Sequence, residues 1–568
     1  MLHKLALGSF CTLCVLPLPL GYQGDDTRNK PISPANEPTY AGRGLRAWTT
    51  LLVDPQTLRR CASARAIGAI GPDAAASIPE LTRALGDKDS SVRMEAAVAL
   101  GNIGPKAASS APAMIATLRR ASYFDGVFIG SALAKLGPEA VPLLIAGTRE
   151  RTGTVRSESI QALRRIGPGA SEAIGRLGEV AHDPKDPDRV EAAFALWSIE
   201  RRPEAISLLA IALGDPDEFV AGTAADHLGA IGPEAKPAVP ALIRALDNKR
   251  FAVRGSAATA LGKVGAGAKD AIPALLHAPG PAGPGTTFAI PIAAIGPAAV
   301  SALIEGLKDP GDGPRWTATE ALGRIGPEAR AAVPGLTRMS ASAQVTDRVV
   351  AATALWRIAR DGHVIPILVE ASRPADGRSL GDRYAALDAL GEIGPAAEEG
   401  VPALIDQLAT ESETNAYKVA EALGRIGPAA VASIAPLERI SARSDDESLR
   451  TAADLALWRI TRGEKGLAAL IKELQGGTDL AKSMALVTIS QIGREAGPAV
   501  PAIAELLRDE HQDLIGVVGT LGEIGPPAKS TLPFLIKIFN NEALLYKERV
   551  AEAIRAIDPE MATRLGIR

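Results

Sequence analysis

Aromatic residues and cysteines are scarce in this chain. Phe, Trp and Tyr together make up 4% of its 568 residues, and it contains 3 cysteines. Three cysteines cannot form the disulfide framework that holds a small secreted domain together. The chain nevertheless has an apolar share of 46%, which excludes wholesale disorder. We therefore expect a large core built from Ala, Leu, Ile and Val.

The chain also lacks a strong charge of either sign, since its formal net charge is −3. This balance excludes the overall basic character of a nucleic-acid-binding protein, so no nucleic-acid partner is expected. Pro and Gly, by contrast, are abundant, with 42 and 56 residues. They follow no Gly-X-Y period, which excludes collagen.

The N-terminus carries an apolar run from Leu5 to Leu20, interrupted by one Gly and two Pro. The run is short for a transmembrane helix, and it indicates a signal peptide at residues 1–21. No clear small-residue cleavage site follows it, so an uncleaved N-terminal anchor is the alternative. Residues 22–41 are polar and predict a disordered linker. We therefore expect an exported protein (periplasmic, envelope-associated or secreted), with no membrane contact beyond a possible anchor.

From residue 42 to the C-terminus, one motif recurs. Each repeat ends in a word such as Ile70-Gly71-Pro72, and we take the first residue of that word as an anchor. The first and last anchors lie 15 repeats apart, which gives a mean period of about 32 residues. Such a period predicts a stacked array rather than separate domains. The 16 anchors are Ile70, Ile103, Leu136, Ile166, Ile199, Ile231, Val264, Ile295, Ile325, Ile358, Ile393, Ile426, Ile460, Ile492, Ile524 and Ile557.

Each repeat is predicted to form two helices. Small or apolar residues recur 11, 7, 4 and 3 residues before the anchor and at the anchor itself, which gives the second helix one buried face. The residue three before the anchor is Leu or Ile in all 16 repeats, and the residue four before is Ala in 12. Gly-Pro after the anchor predicts a left-handed glycine cap. A Pro such as Pro79 or Pro240 then predicts the start of the next first helix.

The repeat resembles the HEAT-repeat superfamily, specifically the short bacterial HEAT-like repeats of the phycobilisome-lyase type. The resemblance rests on words such as VPALIRALD at residues 239–247 followed by VRGSAATALG at 253–262, and it covers residues 42–568. It implies an all-α fold, a right-handed α-solenoid of about 16 two-helix HEAT-like repeats whose second helices line a concave face. The fold alone leaves function open, because scaffolds and enzymes share it.

One segment interrupts the repeat pattern. Residues 278–291 contain four Pro and three Gly, and Pro291 falls within the expected second helix of the eighth repeat. A proline inside a helix breaks or kinks it, so this segment is a candidate hinge or break in the array. A degenerate but rigid repeat is the alternative.

Two recurring features are expected to be structural. Arg or Lys stands ten residues before the anchor in 11 repeats, and we predict that these residues pair with Asp of the interhelical loops between neighbouring repeats; a polyanion-binding surface is the alternative. Trp197, Trp356 and Trp458 stand two residues before the anchor, where Gly is common, in repeats without Gly-Pro. We expect these rings to fill the core rather than stack on a ligand.

The sequence shows no catalytic or metal-binding motif. The six His are widely scattered, and none is followed by Glu. Deoxyhypusine hydroxylase, another protein of short HEAT repeats, holds its di-iron centre with His-Glu pairs, so that oxidoreductase activity is disfavoured. We predict no catalytic residue, no metal and no cofactor. A bilin lyase-like or other ligand-handling HEAT-repeat enzyme is the alternative function.

Candidate partner-binding residues lie 9, 5 and 1 residues before the anchor, one turn apart on the second helices and away from the core face. Three repeats combine aromatic and charged residues there, as protein interaction sites do. Glu and Arg four residues apart also form ordinary surface pairs. We predict a non-catalytic protein–protein interaction scaffold; a structural spacer in the envelope is a third hypothesis. The candidates are Trp316, Glu320 and Arg324; Tyr384, Asp388 and Glu392; and Tyr417, Glu421 and Arg425.

Overall fold

The structure is a computed structural model of the chain. It describes residues 37–40, 42–150, 153–279, 288–374, 379–410, 413–507, 514–539 and 547–565. The predicted signal peptide, residues 1–21, lies outside the described residues, as does most of the predicted linker, 22–41. Both therefore stay predictions.

The described residues are almost entirely helical. A short antiparallel pair, β1 (Thr39–Tyr40) and β2 (Arg43–Gly44), precedes the helices. In chain order the described α-helices are α1 (Leu45–Thr50), α2 (Thr57–Ile70), α3 (Ile78–Ala84), α4 (Ser90–Ile103), α5 (Ala111–Leu118), α6 (Tyr123–Lys135), α7 (Val141–Gly147), α8 (Thr154–Ile166), α9 (Ile174–His182), α10 (Arg189–Glu200), α11 (Pro203–Ala212), α12 (Glu218–Ile231), α13 (Val239–Ala245), α14 (Phe251–Val264), α15 (Ile272–His277), α16 (Ala289–Ile295), α17 (Val300–Gly306), α18 (Asp312–Ile325), α19 (Val333–Ser340), α20 (Val345–Ala359), α21 (Val364–Ser372), α22 (Leu380–Ile393), α23 (Val401–Thr410), α24 (Glu413–Ile426), α25 (Ile434–Arg443), α26 (Glu447–Thr461), α27 (Glu464–Gly476), α28 (Asp479–Ile492), α29 (Val500–Leu506), α30 (Leu514–Ile524), α31 (Leu532–Phe539), α32 (Lys547–Ile557) and α33 (Pro559–Arg564).

The even-numbered helices are the predicted second helices. All 16 end within one residue of their anchor. The Leu or Ile three residues before the anchor is at most 3% exposed in every repeat. Odd-numbered helices α1 to α31 are the first helices that pack against them. The structure thus confirms the all-α fold and the stack of two-helix repeats.

Most second helices end at a glycine with positive φ. Gly71 has φ 72° and ψ −137°, and Gly104 has φ 82° and ψ −146°. The prediction of a left-handed helical cap is therefore wrong, because φ has the expected sign but ψ does not. These glycines adopt the mirror image of the extended backbone conformation, which glycine can reach because it has no Cβ. A 3₁₀ turn such as Gly71–Ser77 follows, and Pro79 is the second residue of α3.

The repeats with Trp two residues before the anchor end in a different way. An Arg four residues after each Trp adopts the left-handed conformation, with φ between 48° and 55°, and its backbone N–H donates to the Trp carbonyl at 2.8–2.9 Å. The guanidinium carbon lies 4.8–5.2 Å from the Trp ring centroid. The three Trp are 6–8% exposed, which confirms the core-packing prediction. The pairs are Trp197–Arg201, Trp356–Arg360 and Trp458–Arg462.

Neighbouring second helices approach closely where Gly stands two residues before the anchor. A Cβ on Gly101 would lie 2.7 Å from Cα of Ala132 on the next second helix, and one on Gly424 would lie 2.8 Å from Cα of Ala456. In both cases the facing Ala is the residue four before its own anchor. The recurrent Ala thus packs against this Gly. Because two small residues meet there, neighbouring second helices lie close together, and the array needs few aromatic residues to fill the space between them.

The predicted ladder of basic residues ten before the anchor forms in part. Asp of the next repeat pairs with Arg60, Arg156, Arg189 and Arg315, whereas Arg93 and Arg348 donate to backbone carbonyls of the loop before their own helix. Arg60 donates from Nε and Nη2 to Asp87 of the next repeat at 2.7 and 2.9 Å, and from Nη1 to the carbonyl of Asp54 at 2.9 Å. Asp87 also accepts the N–H of Asp89 at 2.9 Å, which closes the loop before α4. Burial raises the pKa of Asp87, but the hydrogen bonds from Arg60 and from the Asp89 N–H, together with the charge of Arg60, outweigh it and leave that pKa below its usual value. These contacts confirm a structural role.

Two compact units divide the chain: an N-terminal unit of residues 1–228 with 560–568, and a C-terminal unit of residues 229–559. The division falls within α12 and not at the predicted break, 278–291. There α15 ends at His277 and α16 begins at Ala289, and residues 280–287 lie outside the described residues. Pro291 is the third residue of α16, where a helix loses no internal hydrogen bond. A hinge at 278–291 stays a prediction.

One apolar stretch of the described chain, Ala289–Gly306, is long and hydrophobic enough to cross a membrane by length and composition. It comprises α16, a 3₁₀ turn and α17, which are the second helix of one repeat and the first helix of the next. Ile292 and Leu303 are fully buried there, and α16 packs between α14 and α18. Packing of this kind accounts for the apolar character of the stretch.

Candidate functional site

The predicted binding residues lie on α18, α22 and α24 in the C-terminal unit. Their side chains are all half-buried or exposed, as expected for positions 9, 5 and 1 residues before an anchor. The second helix α20 lies between α18 and α22 in chain order and packs on both. The structure therefore brings the candidates of α22 and α24 together and leaves those of α18 apart.

The residues of α22 and α24 form one cluster. The rings of Tyr384 and Tyr417 meet edge to face, with their centroids 6.4 Å apart. Tyr384 donates its hydroxyl hydrogen to Asn415 at 2.9 Å, and Arg425 pairs with Asp388 at 3.1 Å. Two aromatic rings and an ion pair thus bridge neighbouring repeats on the solvent-facing surface.

Trp316 on α18 is held by the next repeat. Its ring N–H donates to the carboxylate of Asp347 at 2.8 Å, and Arg315 pairs with the same carboxylate at 3.2 Å. Asp347 is 5% exposed. Trp316 therefore fastens α18 to α20, which is a structural contact, while its half-buried ring still borders solvent.

The charged candidates pair with one another. Glu320 and Arg324 form a pair along α18 at 2.8 Å, and Glu392 of α22 pairs with Arg357 of α20. The hydrogen bond with Arg357 lowers the pKa of Glu392, against the effect of burial. These contacts hold the side chains in place before any partner binds.

A groove of about 500 Å³ adjoins the tyrosine pair on the second helices α24, α26 and α28. Tyr417 and Glu421 line one side of it, and Leu455, Arg459, Met484 and Gln491 line the remainder. The sequence pattern does not single out these last four residues, because neither α26 nor α28 combines aromatic and charged residues at the positions 9, 5 and 1 residues before its anchor. One feature of the sequence does point to the groove: Trp458 stands at the position where Gly allows neighbouring second helices to approach closely. In the structure α26 packs less closely on α28 than on α24.

A second polar and aromatic cluster lies on second helices of the N-terminal unit. Phe194 and His227 stack with their ring centroids 4.1 Å apart, and the guanidinium of Arg164 lies 5.4 Å from the Phe194 centroid. His227 bonds Glu191 at 3.1 Å. Burial raises the pKa of Glu191, but the hydrogen bonds with His227 and Gln161 and the nearby charge of Arg164 together outweigh it and lower that pKa overall. In the sequence His227 is one of six widely scattered His, so the cluster is not apparent there.

The described residues include no group of three or more His, Cys, Asp or Glu placed to hold a metal ion. Burial, aided by the charges of Glu95 and Asp89, raises the pKa of the Cys61 thiol to about 11. A thiol with such a pKa is protonated near neutral pH and is a poor nucleophile.

Several solved structures are similar to this chain in backbone arrangement. Importin beta is 14% identical, with 92% of this chain and 79% of that chain covered and a TM-score of 0.41. A Kap95 complex with Nup1 is 14% identical, with coverages of 90% and 73% and a TM-score of 0.38. Kap121p bound to Nup53p is 12% identical, with coverages of 91% and 75% and a TM-score of 0.35. No curated protein matches the sequence.

The profile of one protein family matches the sequence itself. It is described as HEAT repeats, and it matches residues 45–125, 206–279 and 365–458. These regions fall in the N-terminal, middle and C-terminal parts of the helix stack, and the same pair of helices recurs between them. The phycobilisome-lyase subtype stays a prediction. The chain therefore contains HEAT repeats at residues 45–125, 206–279 and 365–458.

Proposed function

We propose that this chain is a non-catalytic scaffold that binds a protein partner on the second helices α22, α24 and α26. The observation that carries the proposal is the tyrosine pair, Tyr384 and Tyr417, beside a groove of about 500 Å³. Aromatic and Arg side chains supply most of the binding energy at protein interfaces. Trp316, Glu320 and Arg324 on α18 extend this surface as outlying contacts.

The paired charges around the tyrosines support this assignment. The two acids Asp388 and Glu421 pair with the two cations Lys418 and Arg425, so a partner that covers this cluster meets balanced charges. Because the rings and the ion pairs are already in place, little side-chain ordering is needed on binding, which favours affinity.

The compartment of the partner follows from the N-terminal segment. Residues 1–21 have the composition of a signal peptide, so we propose that the chain works outside the cytoplasm and binds a protein of the cell envelope or of the exterior. The alternative, a bilin lyase-like or other ligand-handling enzyme, has no observation among the described residues in its favour.

The proposal is tested by capture of proteins from the native envelope fraction with the immobilised full chain. We expect the triple variant Trp316→Ala, Tyr384→Ala, Tyr417→Ala to lose the proteins that the unmodified chain retains. Because Trp316 also fastens α18 to α20, the double variant Tyr384→Ala, Tyr417→Ala is measured alongside. Circular dichroism establishes that each variant keeps its helix content.

A matched control replaces three apolar side chains outside this surface. Tyr123, Phe124 and Ile211 are 66%, 70% and 75% exposed, and their triple Ala variant is expected to capture the same proteins as the unmodified chain. Undiminished capture by the double tyrosine variant would contradict the proposed surface.

A further inference from the structure

The groove contains a half-buried cation without a carboxylate partner. Arg459 on α26 donates from Nη2 to the side-chain oxygen of Gln491 at 3.0 Å, and it pairs with no carboxylate among the described residues. Burial and the nearby charges of Arg425 and Arg462 lower the pKa of Arg459, and the charge of Glu421, which forms no ion pair with it, does not offset them. A half-buried cation of this kind is stabilised when an anion reaches it.

The acidic side chains that line the groove already have partners. Glu421 pairs with Lys418 at 3.0 Å and with Arg425. Asp446 accepts the backbone N–H of Leu449 at 2.9 Å at the start of α26, where the helix N-terminus also favours a negative charge. Among the described residues of the lining, Arg459 is thus the charge that remains open to a ligand.

The wall next to Arg459 is apolar. Leu455 lies one turn earlier on α26 and Met484 lies on the facing helix α28, and both are half-buried in the free chain. Met adapts its shape to different apolar groups. The volume of about 500 Å³ is within the usual range of ligand pockets.

We propose that this groove binds an acidic and apolar peptide segment of the partner protein, with a carboxylate on Arg459 and an adjoining apolar side chain against Leu455 and Met484. This inference rests on the proposed scaffold function and names the chemistry of its partner. An exposed Arg–carboxylate pair is worth little, but a half-buried one that forms on binding contributes to both affinity and specificity.

The test selects peptides from a random nine-residue display library on the full chain. We expect enrichment of Asp or Glu next to Leu, Ile, Met or Phe. A synthetic copy of one enriched peptide should bind the Arg459→Glu variant about tenfold more weakly or worse, as measured by fluorescence anisotropy. Selection on the Arg459→Glu variant itself should enrich Lys and Arg, because the charge of the groove is reversed.

The matched control is Lys263→Glu, which reverses an exposed cation at the equivalent position of α14, one residue before its anchor. It should leave the peptide affinity unchanged. The inference is overturned if no acidic preference emerges from the library, if the Arg459→Glu variant binds the peptide as well as the unmodified chain does, or if an anionic oligonucleotide binds in preference to the peptides.

The outcomes separate this inference from the scaffold proposal. If Arg459→Glu keeps the captured envelope proteins while the tyrosine double variant loses them, the scaffold function stands and the peptide groove fails. If acidic peptides bind through Arg459 while the tyrosine variants capture partners normally, the groove stands and the tyrosine surface fails.

Discussion

At the scale of the residue, the smallest side chains set the spacing of the array. Gly101 on α4 lies so close to α6 that an added Cβ would come within 2.7 Å of the Ala132 Cα, 2.8 Å of its Cβ and 3.0 Å of its carbonyl oxygen. Two of these three atoms belong to backbone, which cannot rotate away. The two helices would have to separate to admit even a methyl group.

We predict that Gly101→Ala destabilises the fold. Overpacking costs about 1–3 kcal/mol, and the better helix propensity of Ala returns up to about 1 kcal/mol. A net loss of about 1–2 kcal/mol should appear in chemical denaturation.

Gly178→Ala serves as the matched control for this prediction. Gly178 lies inside α9, and an added Cβ there would have no atom within 4 Å. This variant should gain about 0.5–1 kcal/mol from helix propensity alone. If the two variants changed the free energy of unfolding equally, the close approach of α4 and α6 would not be the reason that Gly occupies position 101.

At the scale of the element, α26 carries a buried acid that its neighbours do not fully satisfy. Asp454 is 2% exposed, and its Oδ1 has no hydrogen-bond partner. The hydrogen bond from Ser441 of α25 and the charge of Arg450 on α26 favour its ionised form, whereas Glu473 of α27 opposes it. Burial outweighs the rest and raises the pKa of Asp454 to about 7.

This raised pKa predicts how stability depends on pH. The folded state holds the Asp454 proton up to about pH 7, whereas the unfolded chain releases it near the usual pKa of 3.8. The resulting contribution of Asp454 to the free energy of unfolding is complete below about pH 4. It is lost as pH rises towards 7. A tenfold difference in proton affinity between the folded and unfolded chain corresponds to about 1.4 kcal/mol, so the loss amounts to a few kcal/mol.

The Asp454→Asn variant measures this contribution. Asn keeps the shape but carries no charge, so its thermal midpoint should fall less than that of the unmodified chain between pH 4 and pH 7. Asp445→Asn, an exposed acid just before α26, is the control and should leave the pH profile unchanged. Parallel profiles for Asp454→Asn and the unmodified chain would refute the prediction.

At the scale of the whole molecule, packing is local along the chain. The helix pairs with extensive contact are at most three helices apart in chain order. In such an array each repeat is stabilised mainly by its neighbours. A destabilising substitution therefore weakens its own repeat and the adjacent repeats that pack on it more than distant ones.

This locality predicts the extent of damage in Gly101→Ala. Hydrogen exchange should accelerate in α2 to α6, the helices around the substituted contact, while α18 to α28 keep the protection of the unmodified chain. Faster exchange throughout both compact units would show that the array unfolds as a single cooperative body, contrary to this expectation.

The groove and its open cation emerge only from the tertiary structure. Tyr384 and Tyr417, which the sequence pattern predicts as binding residues, do meet, because both stand nine residues before an anchor in adjacent repeats. Trp316 follows the same rule and lies apart, since the intervening repeat has Val349 and no aromatic residue at that position. The pattern does not single out Arg459, because whether a cation is paired depends on what the neighbouring repeats place beside it.

The amino-acid pattern is enough to establish the repeat: its period, the ends of its second helices, their buried face and the structural role of the Trp positions and of several Arg positions. These follow from contacts that recur at fixed spacing along the chain, so the pattern of side chains contains them. The folded structure was needed to establish the conformation of the glycine caps, the division into two units, the spacing of α26 and α28, and which charged side chains lack an ionic partner. Each of these depends on how one repeat differs from the next, and such differences become visible only when the side chains of neighbouring repeats are packed together.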